Sequence, residues 1–222
     1  QMKKYYKLLT DYDERNRLGS LPLKKYIDMV KNASSKDELF DIQMKLRIAC
    51  LYSIGLGEDD KNSDEYAVMF HQKLLFGNKE HYKDDDKTHK IEIWRRVFAE
   101  AVSMTGLLSD DEIKNMIDVF FEYEKLVAEV AYSNEDLDVV EKNYHKMSVF
   151  ELSDKVGFDV QKILHGFLFD KTEDVIVRQV EPVVLGLRLM NEMSLEDYKL
   201  VTLYYIISSM LSKLTEDIKE KL

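Results

Sequence analysis

The sequence predicts a mainly α-helical fold: a multi-helix orthogonal bundle with one small β-hairpin, at about 48–56 and 65–72. One further short strand is a candidate at about 174–179. Two observations favour helices. The 222 residues include only two prolines and eight glycines, whereas a sandwich or barrel needs a turn every ten residues or so. Helix-capping pairs also recur along the chain, ahead of apolar residues spaced three and four apart.

The expected helix starts rest on capping chemistry. In a capping box, a serine oxygen accepts from the backbone N–H three residues later, and a glutamate there bonds back to the serine N–H. Pro22 and Pro182 stand where a first helical turn would begin, a position that tolerates proline. Three boxes and a weaker aspartate version occur: Ser35 with Glu38, Ser109 with Glu112, Ser148 with Glu151, and Ser194 with Asp197.

Each expected helix has its apolar residues at intervals of three and four, which places them on one face. In the first helix, Tyr5, Leu8 and Leu9 belong to that stripe. Residues 78–88, with the acidic triplet Asp84–Asp86, are the nearest thing to a linker. The expected helices cover residues 3–17, 22–32, a short stretch after 35, 87–105, 110–132, 149–155, 160–169, 182–190 and 195–219.

The hairpin is predicted from two apolar segments around a polar turn. Ile48–Ile54 is apolar and partly β-branched, Gly57–Asp64 is polar, and Tyr66–Gln72 resumes the apolar pattern. The Gly-x-Gly at the end of the first segment lacks the third glycine and the helix of a nucleotide-binding loop, so it indicates a turn. Another apolar, β-branched run at 174–179 supports the candidate third strand.

Charge excludes two classes of partner. The net charge is −10, and the segment Ser109–Glu141 holds eleven acidic residues against two lysines. Such a surface repels nucleic-acid phosphates and anionic membranes, so we expect neither as a partner. A second hypothesis stays open, in which the chain is a free-standing interaction domain whose acidic segment docks a basic protein.

The single cysteine, Cys50, excludes an internal disulfide and is interpreted as a small core residue. It fits a reducing compartment, or a lineage that secretes proteins without disulfides, and of these we expect a cytoplasmic protein rather than an exported one. The longest apolar run, Leu200–Leu211, is too short to cross a bilayer and is interpreted as a buried helix.

Motifs for catalysis are missing from the sequence. A zincin needs His-Glu-x-x-His on one helix. None of the five histidines is followed directly by glutamate; they are His71, His81, His89, His145 and His165. The first three, near Glu80, are interpreted as part of a solvated loop rather than a metal site. We therefore assign no catalytic residue, no metal ligand and no cofactor to this chain.

Glu124 falls on the apolar stripe of its helix, where a carboxylate needs a partner. We predict a structural ion pair with an arginine or lysine of a neighbouring helix. A third hypothesis, an autonomous enzyme of unfamiliar type, would require Glu124, His145 and an arginine to converge in a cleft.

Several short motifs occur in a fixed order. The first are Asp59-Asp-Lys-Asn-Ser63, then Gln72, then His81-Tyr82. Glu124-Lys-Leu-Val-Ala, Tyr144-His-Lys-Met-Ser, the segment 175–182 ending in proline, and Leu195-Glu-Asp-Tyr follow. In this order they resemble the helical lobe of the neprilysin family of zinc metallopeptidases, which includes endothelin-converting enzyme and bacterial oligopeptidase O. Phe76-Gly77 departs from the usual Leu-Pro of that family.

The resemblance implies a role and an architecture. Residues 1–222 would form a single helical domain, a fragment of a two-lobed peptidase, enclosing oligopeptide substrates and excluding folded proteins. Its partners would be the parent's catalytic lobe, which carries the zinc, and the peptide. The family's carboxylate-binding arginines would lie upstream, so no substrate-binding residue is assigned. The residues carrying the resemblance, expected to be structural, are Asp60, Lys61, Asn62, Ser63, Gln72, Tyr82, Glu124, Tyr144, Met147, Pro182 and Tyr198.

Overall fold

The computed structural model describes residues 2–77, 79–83 and 85–222. The helices are α1 Met2–Thr10, α2 Tyr12–Leu18, α3 Leu21–Asn32, α4 Lys36–Leu46, α5 Glu80–Lys83, α6 Asp85–Ser103, α7 Asp110–Val130, α8 Asn134–Leu137, α9 Val149–Val156, α10 Val160–Gly166, α11 Val180–Glu192, α12 Leu195–Met210 and α13 Glu216–Lys221, with 3₁₀ turns at Val140–Asn143 and Leu211–Lys213. The strands are β1 Tyr52–Asp59, β2 Asn62–Gln72, β3 His145–Ser148 and β4 Asp174–Val177. The mainly helical class is confirmed.

Serine caps start the helices where the sequence predicts. Ser109 forms a full capping box with Glu112 at the start of α7. The serines at positions 35, 148 and 194 each accept the backbone N–H three residues later. The carboxylate of Glu38 bonds back to Ser34 instead of to the cap itself. Each cap satisfies an N–H that has no partner inside its helix.

The core is centred on α7 and α12. The rings of Phe120 and Tyr204 stack with their centroids 3.5 Å apart, and Phe98 of α6 packs against the same tyrosine. Cys50 is fully buried, and the long apolar run at the end of the sequence is a core helix, as predicted. No helix among the described residues is long and apolar enough to cross a membrane.

Two predicted helices are broken. The first divides at Asp11, whose side chain accepts the Glu14 N–H and starts a new helix. The last ends at Met210 and continues as a 3₁₀ turn and then α13. The predicted linker at 78–88 is helical where it is described, in α5 and α6. Asn78, Asp84 and the side chains of Tyr5, Leu8, Asp85 and Asp86 lie outside the described residues.

The sheet is larger than the predicted hairpin. The four strands lie in the order β1-β2-β4-β3, with β2 and β4 parallel and the other pairs antiparallel. The polar stretch predicted as a long turn belongs mostly to the strands, which leaves Asp60 and Lys61 as the connection. Residues 48–51 precede β1 instead of forming it. The third strand is confirmed as β4, and β3 was not predicted.

Helix α11 fixes the sheet against the bundle. Gly186 lies so close to the start of β1 that a Cβ atom there would stand 2.2 Å from the Leu51 carbonyl oxygen. Glycine is therefore required at this crossing, because any side chain would push α11 away from the sheet.

Candidate functional site

The predicted motif residues gather at the sheet, starting with the hairpin turn. Asp59 is buried, and its carboxylate accepts the Lys61 backbone N–H at 2.9 Å. The ammonium of Lys146, on β3, lies 3.4 Å from the other carboxylate oxygen. The Lys61 N–H, followed by Tyr144 and Lys146 at the same carboxylate, lowers the pKa of Asp59. The turn is thus tied to a strand 87 residues away in sequence.

Two further contacts, made by Arg178 and Lys61, extend the cluster around Asp59. Arg178, directly after β4, forms an ion pair with Asp60. Its guanidinium also donates to the Asn143 carbonyl at 3.4 Å. The ammonium of Lys61 stands 4.2 Å from the ring centroid of Tyr144, at cation–π distance. Asn62 and Ser63, the remaining motif residues of the turn, are exposed at the start of β2.

Buried amides join β2, β4 and the α7–α8 connection. The side-chain oxygen of Gln72 accepts the Tyr132 N–H at 2.8 Å, and the backbone N–H of Gln72 donates to the Gln179 side-chain oxygen at 3.0 Å. Gln179 in turn donates to Asn143, whose amide nitrogen reaches the Val139 carbonyl at 2.7 Å. Buried polar groups need such partners, and a fully connected set holds a loop in one position.

A groove of about 460 Å³ lies over this network. The polar floor of the groove includes the half-buried imidazole of His71. Burial is the larger cause that lowers the pKa of His71, and the charge of Arg178 is the smaller one. The Arg178 Nε atom is buried and has no hydrogen-bond partner among the described residues. Exposed Leu74 lies at the rim. The lining residues are Ser53, His71, Gln72, Leu74, Leu137, Asn143, Arg178 and Gln179.

A second cluster surrounds Glu124 on α7. Its carboxylate accepts the Phe76 backbone N–H at 2.7 Å and the Tyr82 hydroxyl. Burial raises the pKa of Glu124 to about 7, and these two bonds offset part of that effect. Lys73, the nearby cation, donates to the Ala49 carbonyl at 2.7 Å. Glu124 therefore has hydrogen-bond partners, as a buried carboxylate needs. The predicted ion pair is wrong, because these partners are a backbone amide and a phenol rather than an arginine or lysine.

The other motif residues have packing roles. Tyr198 on α12 donates to Gln43 at 2.9 Å, and Gln43 donates to Thr202 at 2.7 Å. Met147 is buried on β3, and Pro182 is buried as the third residue of α11, where its missing N–H has no helical partner to lose.

The arrangement required for an autonomous enzyme does not form. The Glu124 carboxylate faces Phe76 and Tyr82, whereas the His145 ring lies 3.2 Å from the Val177 carbonyl in the sheet. Within the described ranges, no three His, Cys, Asp or Glu side chains come close enough to hold a metal ion. The described residues therefore do not fit a zinc site.

The acidic segment is partly neutralised within the chain. On α7, Glu112 pairs with Lys31 of α3, and Asp118 pairs with Arg95 of α6 and with Lys114. These pairs reduce the charge available to a basic protein, which weakens the docking-face hypothesis.

Sequence reasoning missed Asn143 and the roles of Arg178 and Gln179. The available signal was a polar pair placed directly after a buried β-branched run, at the end of the predicted strand. A polar pair at a strand end is common, so the pattern alone did not separate a network from a loop.

These features define a mainly helical domain with a small mixed sheet and, among the described residues, no metal site. The family model for the N-terminal domain of peptidases described as Peptidase family M13 matches residues 1–222. The chain belongs to this family, which confirms the resemblance drawn from the ordered motifs.

The similarity of this chain to other proteins supports the family assignment. The chain is 25% identical over 172 residues to Neprilysin-3 of Drosophila melanogaster, covering 70% of this chain and 22% of that protein. It spans about a quarter of the length of the curated relatives it matches. The zinc metalloprotease Zmp1 of Mycobacterium tuberculosis, solved with an inhibitor, superimposes with a TM-score of 0.87 at 18% identity, over 97% of this chain and 34% of that one. PepO of Lactobacillus rhamnosis gives 0.78 at 15% identity, over 96% and 35%.

Proposed function

We propose that residues 1–222 are the helical, substrate-enclosing lobe of a two-lobed zinc metalloendopeptidase that hydrolyses oligopeptides. The observation that carries the proposal is the family match over the whole length, combined with coverage of only about a third of the similar structures. The remaining two thirds of such proteins would supply the catalytic lobe and its zinc. This lobe would supply walls that limit access by size.

The described residues support a scaffold role within that enzyme. Their buried polar groups bond to each other across the sheet and α7, which makes a rigid wall rather than a reactive centre. In this proposal the zinc would be held by the catalytic lobe of the parent, as the zinc metalloproteases among the similar proteins suggest. A cytoplasmic, bacterial parent remains part of the proposal, supported by the lone buried Cys50.

The test is hydrolysis by the full-length parent, compared with the 222-residue chain. Reading the gene beyond Leu222 should reveal His-Glu-x-x-His. We expect the parent to cleave peptides of about ten residues and to lose that activity with a zinc chelator, while the chain alone cleaves none. Size exclusion requires that the parent cleave a protein fragment when the fragment is unfolded and leave the same fragment intact when it is folded. Equal cleavage of both forms would reject the enclosing role.

A further inference from the structure

The two edges of the sheet differ in how they are protected. Strand β3 forms one edge, is four residues long and carries Lys146. Strand β1 forms the other, is eight residues long and contains neither lysine nor proline. Proteins usually shield a sheet edge with short strands, lysine or proline, because an open edge pairs with other chains. The register of β1 is irregular only at Glu58–Asp59, next to the turn, so the rest of the strand is an unprotected edge by this criterion.

The backbone of β1 is available on its outer side. In the part of the chain that the structure describes, β1 pairs with β2 alone, and no loop backbone bonds to it. Helix α11 approaches the chain most closely at Leu51, just before β1, whereas Leu56 and Glu58 on the strand are exposed. The open stretch, Ile54–Glu58, is about 17 Å long, enough for five residues of an added strand.

The side chains near this edge also favour an added strand. A Cβ atom at Gly55 would meet nothing within 4 Å, so the fold does not require glycine there. A large side chain of a neighbouring strand can cover such a space. On the opposite face Leu56 is 60% exposed, and Tyr66, which is paired with Glu58 and diagonal to Leu56 on β2, is also exposed. An added strand would therefore meet an open space beside Gly55 on one face and exposed apolar side chains on the other.

Charge indicates which strand would fit. Glu58 ends the open stretch, and Asp64 and Glu65 are exposed on the adjoining part of β2. A basic residue at the end of the added strand would lie near these carboxylates. The occupant is thus an extended segment with alternating apolar residues and a lysine or arginine at its end.

We propose that the β1 edge, centred on Gly55 and Leu56, binds extended oligopeptides by strand addition. The choice of a peptide as occupant rests on the proposed function. Main-chain hydrogen bonds would supply affinity, and the Gly55 space and the Leu56 surface would select alternate side chains.

The test uses the 222-residue chain and a synthetic probe, Lys-Thr-Val-Thr-Phe-Thr-Val-Thr-Lys, labelled for fluorescence anisotropy. We expect saturable binding, with slower amide exchange in residues 54–58. The same peptide N-methylated at every amide should not bind, because neither of its edges can donate to the β1 backbone. Leu56→Lys should weaken binding about fivefold, by loss of a cross-strand apolar pair and gain of a like charge. Gly55→Val should also weaken it by filling the open space.

Phe150→Lys is the matched control, since Phe150 is an exposed apolar side chain on α9, outside the sheet. It should leave binding unchanged, and circular dichroism should show that all three variants fold. Equal affinity for the N-methylated peptide, or no effect of either β1 variant, overturns the proposal. A dimer of the chain dissolved by Leu56→Lys would assign the edge to a second copy. Protection of 54–58 in the peptide-free parent would assign it to the catalytic lobe. Both results also overturn it.

Binding and hydrolysis are separate measurements, so the two proposals fail in different ways. If the parent cleaves peptides while the β1 variants bind like the unmodified chain, only the strand-addition proposal is wrong. If the parent is inactive but the probe binds at β1, the peptidase proposal is wrong and the binding site stands.

Discussion

Glu124 on α7 and Asp59 at the hairpin turn are equally buried, each with 3% of its surface exposed, yet their pKa values move in opposite directions. Burial raises the pKa of Glu124 to about 7. For Asp59, the Lys61 N–H and then Tyr144 and Lys146 lower the pKa. Burial alone therefore does not decide the charge of a carboxyl group. The donors around it do, and a cation within bonding distance helps to keep the ionised form.

The largest expected effect comes from removing the Glu124 carboxyl. Glu124→Ala leaves the Phe76 N–H and the Tyr82 hydroxyl buried without an acceptor, and should lower the free energy of unfolding by about 3 kcal/mol. Glu124→Gln keeps an acceptor and should lower it by about 1 kcal/mol near pH 4, where Glu124 is protonated in the folded chain. Urea unfolding measures both. Glu129→Ala, on the exposed face of the same helix, is the control and should change little. Equal losses for all three would mean that the cluster has no special role.

The second prediction concerns pH. The folded chain holds the Glu124 proton more tightly than the unfolded chain does, so its contribution is full below about pH 4.5 and is lost as pH rises to about 7. The free energy of unfolding should fall by about 2–3 kcal/mol across that range, relative to Glu124→Gln, which cannot titrate. Urea unfolding at a series of pH values tests this. Parallel curves for the two proteins would show that Glu124 does not titrate there.

In each cluster the sequence predicted the position of the carboxyl group but not the groups that bond to it. The apolar stripe of α7 placed Glu124 inside correctly, because helical spacing is a local property. Its partners could not be predicted, because Tyr82 and Phe76 lie 42 and 48 residues away in sequence, on a segment without a periodic pattern. Likewise the motif around Asp59 marked a turn, but its contact with Lys146 depends on β3, a four-residue strand too short to show alternation.

The same limit explains the errors in the fold. Serine caps and prolines marked the starts of α3, α4, α7, α9, α11 and α12, because capping uses residues three apart. The breaks at Asp11 and after Met210 contain neither glycine nor proline, and the Asp11 cap with Glu14 three residues later is a local signal that the prediction did not use. The order of the four strands follows from packing between distant segments, as at Gly186, and was not predictable from patterns.

The third prediction tests the other carboxyl group. The folded-state pKa of Asp59 is lowered, so its stabilisation is present above its ordinary value of 3.8 and is lost as pH falls below it. Asp59→Asn should lower the free energy of unfolding at pH 7 and change it by almost nothing near pH 3. Asp64→Asn, an exposed change in the same hairpin, should have little effect at either pH. A loss for Asp59→Asn that is the same at both values would contradict the sign.

The smallest effect separates the two kinds of donor at Asp59. The Lys61 N–H is fixed by the turn at 2.9 Å and is the largest cause of the lowered pKa. The Lys146 ammonium is 3.4 Å away on a side chain that is 44% exposed, so water and salt screen it. Lys146→Met should therefore lower the free energy of unfolding by about 0.5 kcal/mol in dilute buffer, and the difference should vanish in concentrated NaCl. Urea unfolding at both salt levels measures it. A loss as large as that of Asp59→Asn would mean that the ion pair, rather than the turn, keeps Asp59 ionised.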